Sequence, residues 1–406
     1  MRIGKAIGTF AISLLAGTAA AQTMAQTAGA APSQPAAAPA PVVAKTWADS
    51  VTFKGDIRYR YESIGDDSAL NADKETYTRQ RDRIRARLGA EAKCNDALKA
   101  GVEFSTGQSD PVSGNQTIGD GFSKKDFKLN LAYADYNFFG DSPDELHAVA
   151  GKMKNPFITQ NDDLVWDGDL TPEGIAVKGQ MSLFDGFATL YGNGGYIWIQ
   201  ERSSKDDSML YAGQAAVTLN FMPELELTLG GTYYGFQNVA GFDVIDWESK
   251  NNAYGNSTQD GTVSGSATNK AWKYEYKPVV FFAQCDAWIE GIPVSAFGQY
   301  LSNGDVDDNG KGLSYGVSVG KAKNPGTWEV GYSHAKVEKD ATIGAFTDSD
   351  RWGGGADGQG HKIYAKYQIM KNLQGGVTFF KCDKKISDAA KTADYDRLQV
   401  DLLASF

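Results

Sequence analysis

DRLQVDLLASF, residues 396–406, is the stretch from which the fold can be read. Steps of two back from Phe406 reach apolar side chains at Ala404, Leu402, Val400 and Leu398. Between them lie mostly charged or amide residues: Ser405, Leu403, Asp401, Gln399 and Arg397. Side chains alternate along a strand, so the stretch predicts a strand with one apolar face. A half-buried soluble strand has the same alternation. If instead Phe406 ends the last strand of a closed sheet, that strand must pair with the first.

Residues 1–21 have the parts of a secretory signal peptide. A basic start and a short apolar run precede an Ala-x-Ala cleavage site at Ala19 to Ala21. The apolar run is too short for a membrane anchor. Residues 22–49 are rich in Ala, Pro, Gln and Thr and are predicted to form a flexible periplasmic lead. Residues 50–406 are predicted to form the folded domain.

The composition limits the classes of protein to consider. No second apolar run approaches the roughly 20 residues of a membrane helix, which argues against a helical membrane protein but not against a barrel. Removal of the signal leaves 38 cations against 50 acids, a charge of −12, which argues against nucleic acid as a partner. The cysteines have no spacing typical of a metal site or disulfide framework and are expected to be unpaired: Cys94, Cys285 and Cys382.

Alternation between apolar and polar residues recurs along the chain. Residues 51–63, for example, put Ile57 on one face and Arg58 on the other. Residues 126–138 put Tyr133 on the apolar face, and the phase breaks near Asp135, where a bulge is predicted. The pattern predicts sixteen strands: 51–63, 80–92, 98–106, 126–138, 145–154, 173–183, 187–199, 208–221, 224–236, 274–290, 292–302, 312–323, 326–338, 359–370, 374–386 and 395–406. The faces of 187–199 and 374–386 are ambiguous.

The connections between these strands sort by length. Those after even-numbered strands are short and carry turn residues, as in Phe184-Asp185-Gly186 and Lys371-Asn372. Those after odd-numbered strands are mostly longer and polar, the longest being 237–273. A soluble sandwich has no reason to sort its loops, whereas a transmembrane β-barrel has short turns at one end and long loops at the other. The predicted fold class is therefore all-β, an antiparallel transmembrane barrel of sixteen strands.

Four blocks resemble those of the putative porin family of Gram-negative outer membranes: GDIRYRYE (55–62), RQRDRIRARLGAEA (79–92), GKMKNPF (151–157) and DLVWDGDLTPEG (163–174). The resemblance implies a passive diffusion channel that assembles as a homotrimer. The final stretch resembles the closing strand of outer-membrane barrels, in which the terminal aromatic residue is read by the barrel assembly machinery. This resemblance implies closure and assembly roles for Leu398, Val400, Leu402 and Phe406.

One wall of the predicted lumen is strongly basic. The inward cations expected to line the pore are Arg58, Arg60, Arg81, Arg83, Arg85, Arg87, Lys152 and Lys154. A sixteen-stranded barrel encloses water, so these side chains are predicted to be solvated and to set solute selectivity. The alternative is a solvated wall whose charges mostly neutralise Glu62, Glu91 and Glu103.

The connection 155–172 carries acids that could face this wall. In general porins the third outer loop folds inward and narrows the pore, and this connection resembles such a loop. Its candidate constriction residues are Asp162, Asp163, Asp167, Asp169 and Glu173. Acids opposite the basic wall would create a transverse field. The alternative is an ordinary acidic surface loop, since loops are polar on average.

Other candidate sites are weaker. Asp305, Asp307 and Asn309 match half of a calcium loop, but the twelfth position is Gly316 instead of a bidentate Glu, so no metal site or cofactor is expected. None of the three histidines lies in a nucleophile-and-base setting, and no Gly-x-Ser-x-Gly elbow occurs, so no enzyme is expected.

The sequence thus predicts an outer-membrane channel for passive diffusion of small hydrophilic solutes and ions. Its expected partners are outer-membrane lipid, lipopolysaccharide, the solutes themselves and the assembly machinery. Two alternatives stay open: a channel selective for anions or sugars, and a non-conducting structural or adhesive barrel.

Overall fold

A computed structural model describes residues 47–70, 76–140, 142, 144–245, 247, 252–260 and 270–406. The predicted signal peptide and the predicted lead up to residue 46 lie outside these described residues. The last three residues of the predicted lead and Ser50 form a short 3-10 turn, Trp47–Ser50, directly before the first strand. No helix in the described part of the chain has the length and apolar content needed to cross a membrane.

Sixteen long strands make up the domain. They are β1 Val51–Leu70, β2 Thr76–Lys93, β3 Leu98–Thr106, β4 Phe127–Asn137, β5 Glu145–Lys152, β6 Glu173–Leu183, β7 Ala188–Gln200, β8 Ser208–Met222, β9 Leu225–Gln237, β10 Pro278–Ile289, β11 Ile292–Asn303, β12 Lys311–Gly320, β13 Trp328–Val337, β14 Gly358–Met370, β15 Leu373–Lys384 and β16 Ala393–Ser405. The predicted strands are confirmed, with differences of up to seven residues at their ends. The clearest difference is at β1, which runs on to Leu70.

The sheet closes on itself. Each strand pairs antiparallel with the next, and β16 pairs antiparallel with β1, from Asp56 opposite Ser405 to Asp66 opposite Tyr395. Closure satisfies the backbone hydrogen-bonding groups of both edge strands, which hydrocarbon could not satisfy. The predicted antiparallel barrel of sixteen strands is confirmed.

The two faces of the wall differ as the alternation requires. Outward positions carry exposed apolar side chains, such as Ile57 and Tyr59 on β1, with 54% and 47% of their surface exposed. The intervening Arg58 and Arg60 are half-buried and buried on the inner side. In water such an exposed apolar belt would be unfavourable, whereas lipid is its natural surrounding.

The connections sort as predicted. Turns such as 94–97, 184–187, 290–291 and 371–372 lie at one end, which we call the short-turn end. The long loops lie at the other, the long-loop end. Three of the long loops contact the inner wall: L2 (107–126), L3 (153–172) and L7 (338–357).

The predicted bulge near Asp135 is in the wrong place. The pairing of β3 with β4 slips at Asn130, because Glu103 lies opposite Leu131 while Phe104 lies opposite Leu129. The slip turns Tyr133 inward, although the alternation predicts it outward. The position of a bulge depends on how both strands pair. The pattern of one strand alone therefore locates the bulge only to within a few residues.

Ile363→Arg tests the outward face. Ile363 lies in the middle of β14 with 56% of its surface exposed. In vesicles the substitution should lower the free energy of unfolding by about 2–4 kcal/mol, because a charge enters hydrocarbon.

The control for this test lies on the same face of β14. Gln359→Arg, near the long-loop end and beside Asp383, should change the unfolding free energy little. Urea unfolding compares the two variants, and an equal effect would contradict the assigned depth of Ile363.

Candidate functional site

Two neighbouring strands place their inward arginines side by side. In the pairing of β1 with β2, Arg58 lies opposite Arg85 and Arg60 opposite Arg83. Alternate residues of a strand share a face, so the arginines form a ladder along the inner wall. On the other side of β1, Asp401 of β16 lies opposite Arg60. The ladder therefore includes β16, which the sequence reading had assigned only to closure.

Glu62 is the acidic centre of the ladder and is fully buried. Arg397 of β16 bonds to its Oε1 atom, and Arg81 Nε donates to Oε2 at 2.6 Å. Arg60 and Arg83 lie 3.6 and 3.7 Å from the same carboxylate. A buried carboxylate is stable only when ion pairs replace its hydration, and these four guanidiniums do so.

Two other carboxylates lie nearer the short-turn end than Glu62 and also pair with arginines of the ladder. Asp56 pairs with Arg85 at 3.1 Å and with Arg87 at 2.7 Å. Asp401 accepts two hydrogen bonds from Arg60, at 2.6 and 2.8 Å. Bidentate pairing of this kind holds a guanidinium in one orientation.

The ladder is less solvated than predicted. Arg60 and Arg85 keep only 5% and 6% of their surface exposed. Loops cover the middle of the wall, and carboxylates replace the water that a wide pore would supply.

Of the three acids expected to neutralise this wall, only Glu62 pairs with its arginines. Glu91 accepts a hydrogen bond from Tyr133 at 2.9 Å, and Glu103 accepts one from Asn130 at 2.7 Å. These two acids therefore leave the charge of the arginines unchanged.

The five candidate acids of L3 and its end have different partners. Asp169 meets the ladder, at 3.1 Å from Arg85 and 3.9 Å from Arg87. Asp162 instead pairs with Lys362 of β14 at 2.7 Å and with Arg351 of L7 at 3.2 Å.

Glu173 pairs with Lys152 on the adjoining strand at 2.9 Å. Of the two lysines predicted to line the pore, Lys152 is therefore neutralised. Lys154, the second residue of L3, remains exposed. Only Asp169 of the five acids contacts the arginines that the sequence assigned to the basic wall.

The remaining two acids lie where burial disfavours their charge. Asp163 accepts hydrogen bonds from the backbone N–H groups of Val165 and Trp166, yet burial raises its pKa to about 6. Burial, with Asp348 and Asp169 nearby, raises the pKa of Asp167 well above its usual value. These directions follow from desolvation and like-charge repulsion.

L7 supplies site residues that sequence reasoning missed. Asp350 lies 3.1 Å from Arg60 and 2.9 Å from Arg397. Burial alone would raise the pKa of Asp350, but Arg397 and Arg60 hold it below its usual range. L7 also bonds to L3, since the backbone N–H of Ser349 donates to Asp167 at 2.8 Å. Two aspartates on either side of Ser349, Asp348 and Asp350, are the only signal in the sequence, and many surface loops carry such a pair.

An apolar cluster packs L3 and L7 against several strands of the wall, from β7 round to β16. Trp166 of L3 stacks on Phe346 of L7 with ring centroids 5.9 Å apart. Tyr234 of β9 meets Trp166 edge-on at 5.8 Å. The cluster also buries Leu164, Phe236, Trp272, Tyr276 and Ile343. This packing excludes water from between the two loops and the wall.

Three cavities follow one another along the ladder. The upper cavity, toward the long-loop end, has about 880 Å³ and is lined by Arg79, Arg81, Arg83 and Arg397. The middle cavity has about 250 Å³ and is lined by Arg58, Arg85, Asp167, Asp169, Asp348 and Lys362. The lower cavity has about 600 Å³ and is lined by Asp56, Arg87, Lys154 and Phe406. Upper and middle cavities share Asn115 and Asp350, and middle and lower cavities share Asp167 and Asp169.

The weak calcium candidate gains no support. Asp305 pairs with Lys277 at 3.0 Å. Among the described residues, no three His, Cys, Asp or Glu side chains are grouped so that they could hold a metal ion.

The predicted closure residues lie at the seam. Leu402 lies opposite Tyr59 and Val400 opposite Tyr61. The backbone of Phe406 exchanges hydrogen bonds of 3.0 and 2.9 Å with Gly55. The assembly role of these residues stays a prediction.

A family model described as "putative porin" matches residues 65–265 and 281–406. The chain belongs to the putative porin family. Among solved structures, OprB of Pseudomonas putida matches with a TM-score of 0.55 and 10% identity, over 88% of this chain and 94% of that one. OmpF of Salmonella typhi, solved in complex with daunomycin, matches with a TM-score of 0.52 and 11% identity, over 88% and 97%. At such identities the likeness shows the fold. No curated protein sequence matches the chain. Family and fold support an outer-membrane channel and not an enzyme.

Glu62→Gln tests the centre of the ladder. The amide keeps the shape of the side chain but leaves Arg397 and Arg81 without their carboxylate. The free energy of unfolding in vesicles should fall by about 3–5 kcal/mol, the cost of breaking a buried ion pair.

The matched control for Glu62→Gln is Glu103→Gln, whose amide oxygen can still accept from Asn130. It should change the unfolding free energy by less than about 0.5 kcal/mol. Similar losses in the two variants, measured by urea unfolding, would argue against the special role of Glu62.

Asp163→Asn tests the pKa shift in L3. Its folded pKa, about 6, exceeds the ordinary value of 3.8. Proton binding therefore stabilises the folded state at low pH, and this stabilisation is lost as the pH rises through 6. The asparagine variant should be more stable than the wild type at pH 7 and similar to it at pH 4. Melting temperatures from pH 4 to 8 check this, and parallel pH profiles for both proteins would refute it.

Proposed function

We propose that the barrel is an outer-membrane channel for passive diffusion of small hydrophilic solutes and ions. The observation that supports this most is the series of three cavities along the arginine ladder. Neighbouring cavities share lining residues, and together they extend from Arg79 near the long-loop end to Phe406 at the short-turn end. A solute that follows them would pass from one end of the barrel to the other.

We propose further that L3 crosses the lumen and narrows it. Its contacts support this, because Asp169 pairs with β2 while Asp162 pairs with β14. These strands lie on different parts of the wall. L7 completes the constriction in this proposal, since it bonds to L3 and also pairs with the ladder through Asp350.

The constriction would carry a transverse field. In the middle cavity, Arg58 and Arg85 lie on the strands, and Asp169 and Asp350 lie on L3 and L7. A field of this kind orients dipolar solutes and hinders apolar ones.

A second candidate, a channel selective for anions or sugars, is favoured by one observation. The apolar cluster packs L3 and L7 against the wall, and the middle cavity of about 250 Å³ is lined mostly by charged and amide side chains. A narrow polar path allows direct contact between wall and solute.

The remaining proposals concern partners. The exposed apolar belt would contact outer-membrane lipid and lipopolysaccharide. Assembly as a homotrimer and recognition of Phe406 by the assembly machinery are expectations from the family, and cross-linking in intact outer membranes tests both.

Asp169→Asn tests the constriction. The purified protein in planar bilayers should conduct, and the variant should shift ion permeability toward anions by about two-fold, because a fixed negative charge beside the path is lost. Reversal potentials in a KCl gradient measure the shift.

Asp185→Asn is the control for this test, since it removes the same charge from an exposed turn at the short-turn end. An unchanged reversal potential in Asp169→Asn would remove L3 from the path. Absence of any wild-type conductance would favour the non-conducting barrel.

A further inference from the structure

The ladder contains more cations than its carboxylates can neutralise. Seven arginines take part: Arg58, Arg60, Arg81, Arg83, Arg85, Arg87 and Arg397. Among the described residues, five carboxylates pair with them within 4 Å: Asp56, Glu62, Asp169, Asp350 and Asp401. The excess is two positive charges.

The excess is concentrated at Arg58 and Arg83. No carboxylate of the described residues lies within 4 Å of Arg58, whose Nη2 atom donates to Asn115 Oδ1 at 2.8 Å. Arg83 lies 3.7 Å from Glu62, which three other arginines share, and its Nη2 atom donates to the backbone oxygen of Asn115 at 3.1 Å. Both guanidiniums are therefore held by one neutral residue.

Asn115 is fixed in this position. It keeps only 7% of its surface exposed, and its neighbours Gln116 and Thr117 pair with Ile84 and Arg83 of β2. L2 is thereby anchored along the ladder. The same side chain lies between the upper and middle cavities, since it lines both.

We propose that Asn115 determines the charge selectivity of the path. Its amide positions Arg58 and Arg83 without cancelling their charge, whereas a carboxylate at the same place would do both. The positive charge that remains on Arg58 and Arg83 attracts a small anion, such as a carboxylate or phosphate, while the anion passes from the upper to the middle cavity. The inference rests on the proposed channel function.

Spare donors support this assignment. Within the described part of the chain, Arg58 donates only through Nη2, to Asn115. Its Nε–H group is buried and has no acceptor, so the Nη1 group is the donor that remains for a solute. A guanidinium that uses all its donors on internal acceptors has none for a solute. Here the positioning contacts with Asn115 use only part of the donor set of Arg58 and Arg83.

Asn115→Asp tests the proposal with little change in shape. The new carboxylate would accept from Arg58 at the same place and neutralise it. In a KCl gradient, the ratio of chloride to potassium permeability should fall by about two-fold or more, because one elementary charge changes beside the path.

Two further variants separate charge from structure. Asn372→Asp adds the same charge in an exposed turn between β14 and β15, where asparagine already has a positive φ of 67°, and should leave the ratio unchanged. Asn115→Ala frees the arginines but keeps their charge, so chloride permeability should stay closer to the wild type than in Asn115→Asp.

The outcomes are distinct. A ratio that falls in Asn115→Asp alone supports the proposal. A ratio unchanged in Asn115→Asp, or lowered equally by Asn372→Asp, overturns it while the channel function stands. A wild-type protein that carries no current overturns the channel and this inference with it. In that case the melting temperature of Asn115→Asp still reports the geometry, since a new pair with Arg58 should raise it.

Discussion

The pairing of β16 with β1 is the constraint on which the rest of the structure depends. Hydrocarbon offers no partner to a backbone N–H or C=O group, so a sheet in lipid has to satisfy its own edges. The register from Asp56–Ser405 to Asp66–Tyr395 does this. It also decides which side chains share the inner face of the seam, and so brings Arg397 and Asp401 beside the arginines of β1.

Closure of the barrel brings the charged side chains of β1, β2 and β16 together in one buried network. Side chains that alternate with lipid-facing ones all point into one enclosed space, where cations gather along β1 and β2. Glu62 and the other four carboxylates stabilise most of them, and loops L2, L3 and L7 cover the middle of the wall. The apolar cluster around Trp166 and Phe346 fixes two of these loops. In the proposed channel a path beside the ladder stays open, and its charge depends on Arg58 and Arg83, which both donate to the neutral Asn115.

The sequence predicts the wall well because the wall obeys local rules. The alternation of apolar and polar residues predicts the strands, and turn residues predict where the strands end. The loop lengths predict which end of the barrel carries the long loops. The site is harder, because its contacts join residues distant in the chain. Asp162 and Asp169 belong to one loop but pair with different strands, and nothing local distinguishes them. Asp350 and Asn115 lie in polar loops, and no sequence motif marks either of them as a site residue. The Asn130 bulge was misplaced for a related reason, since register belongs to two strands at once.

Closure itself can be tested with Tyr59→Cys and Leu402→Cys in a background without the native cysteines. The two positions are directly opposed across the seam and both face outward. Opposed Cα atoms lie within disulfide reach, whereas Tyr59→Cys with Leu398→Cys would be separated by about 13 Å along the strand. Oxidation of the folded protein in membranes should cross-link the first pair and not the second. Folded protein that fails to cross-link 59 to 402, or links 59 to 398 equally well, would contradict the closed barrel described above.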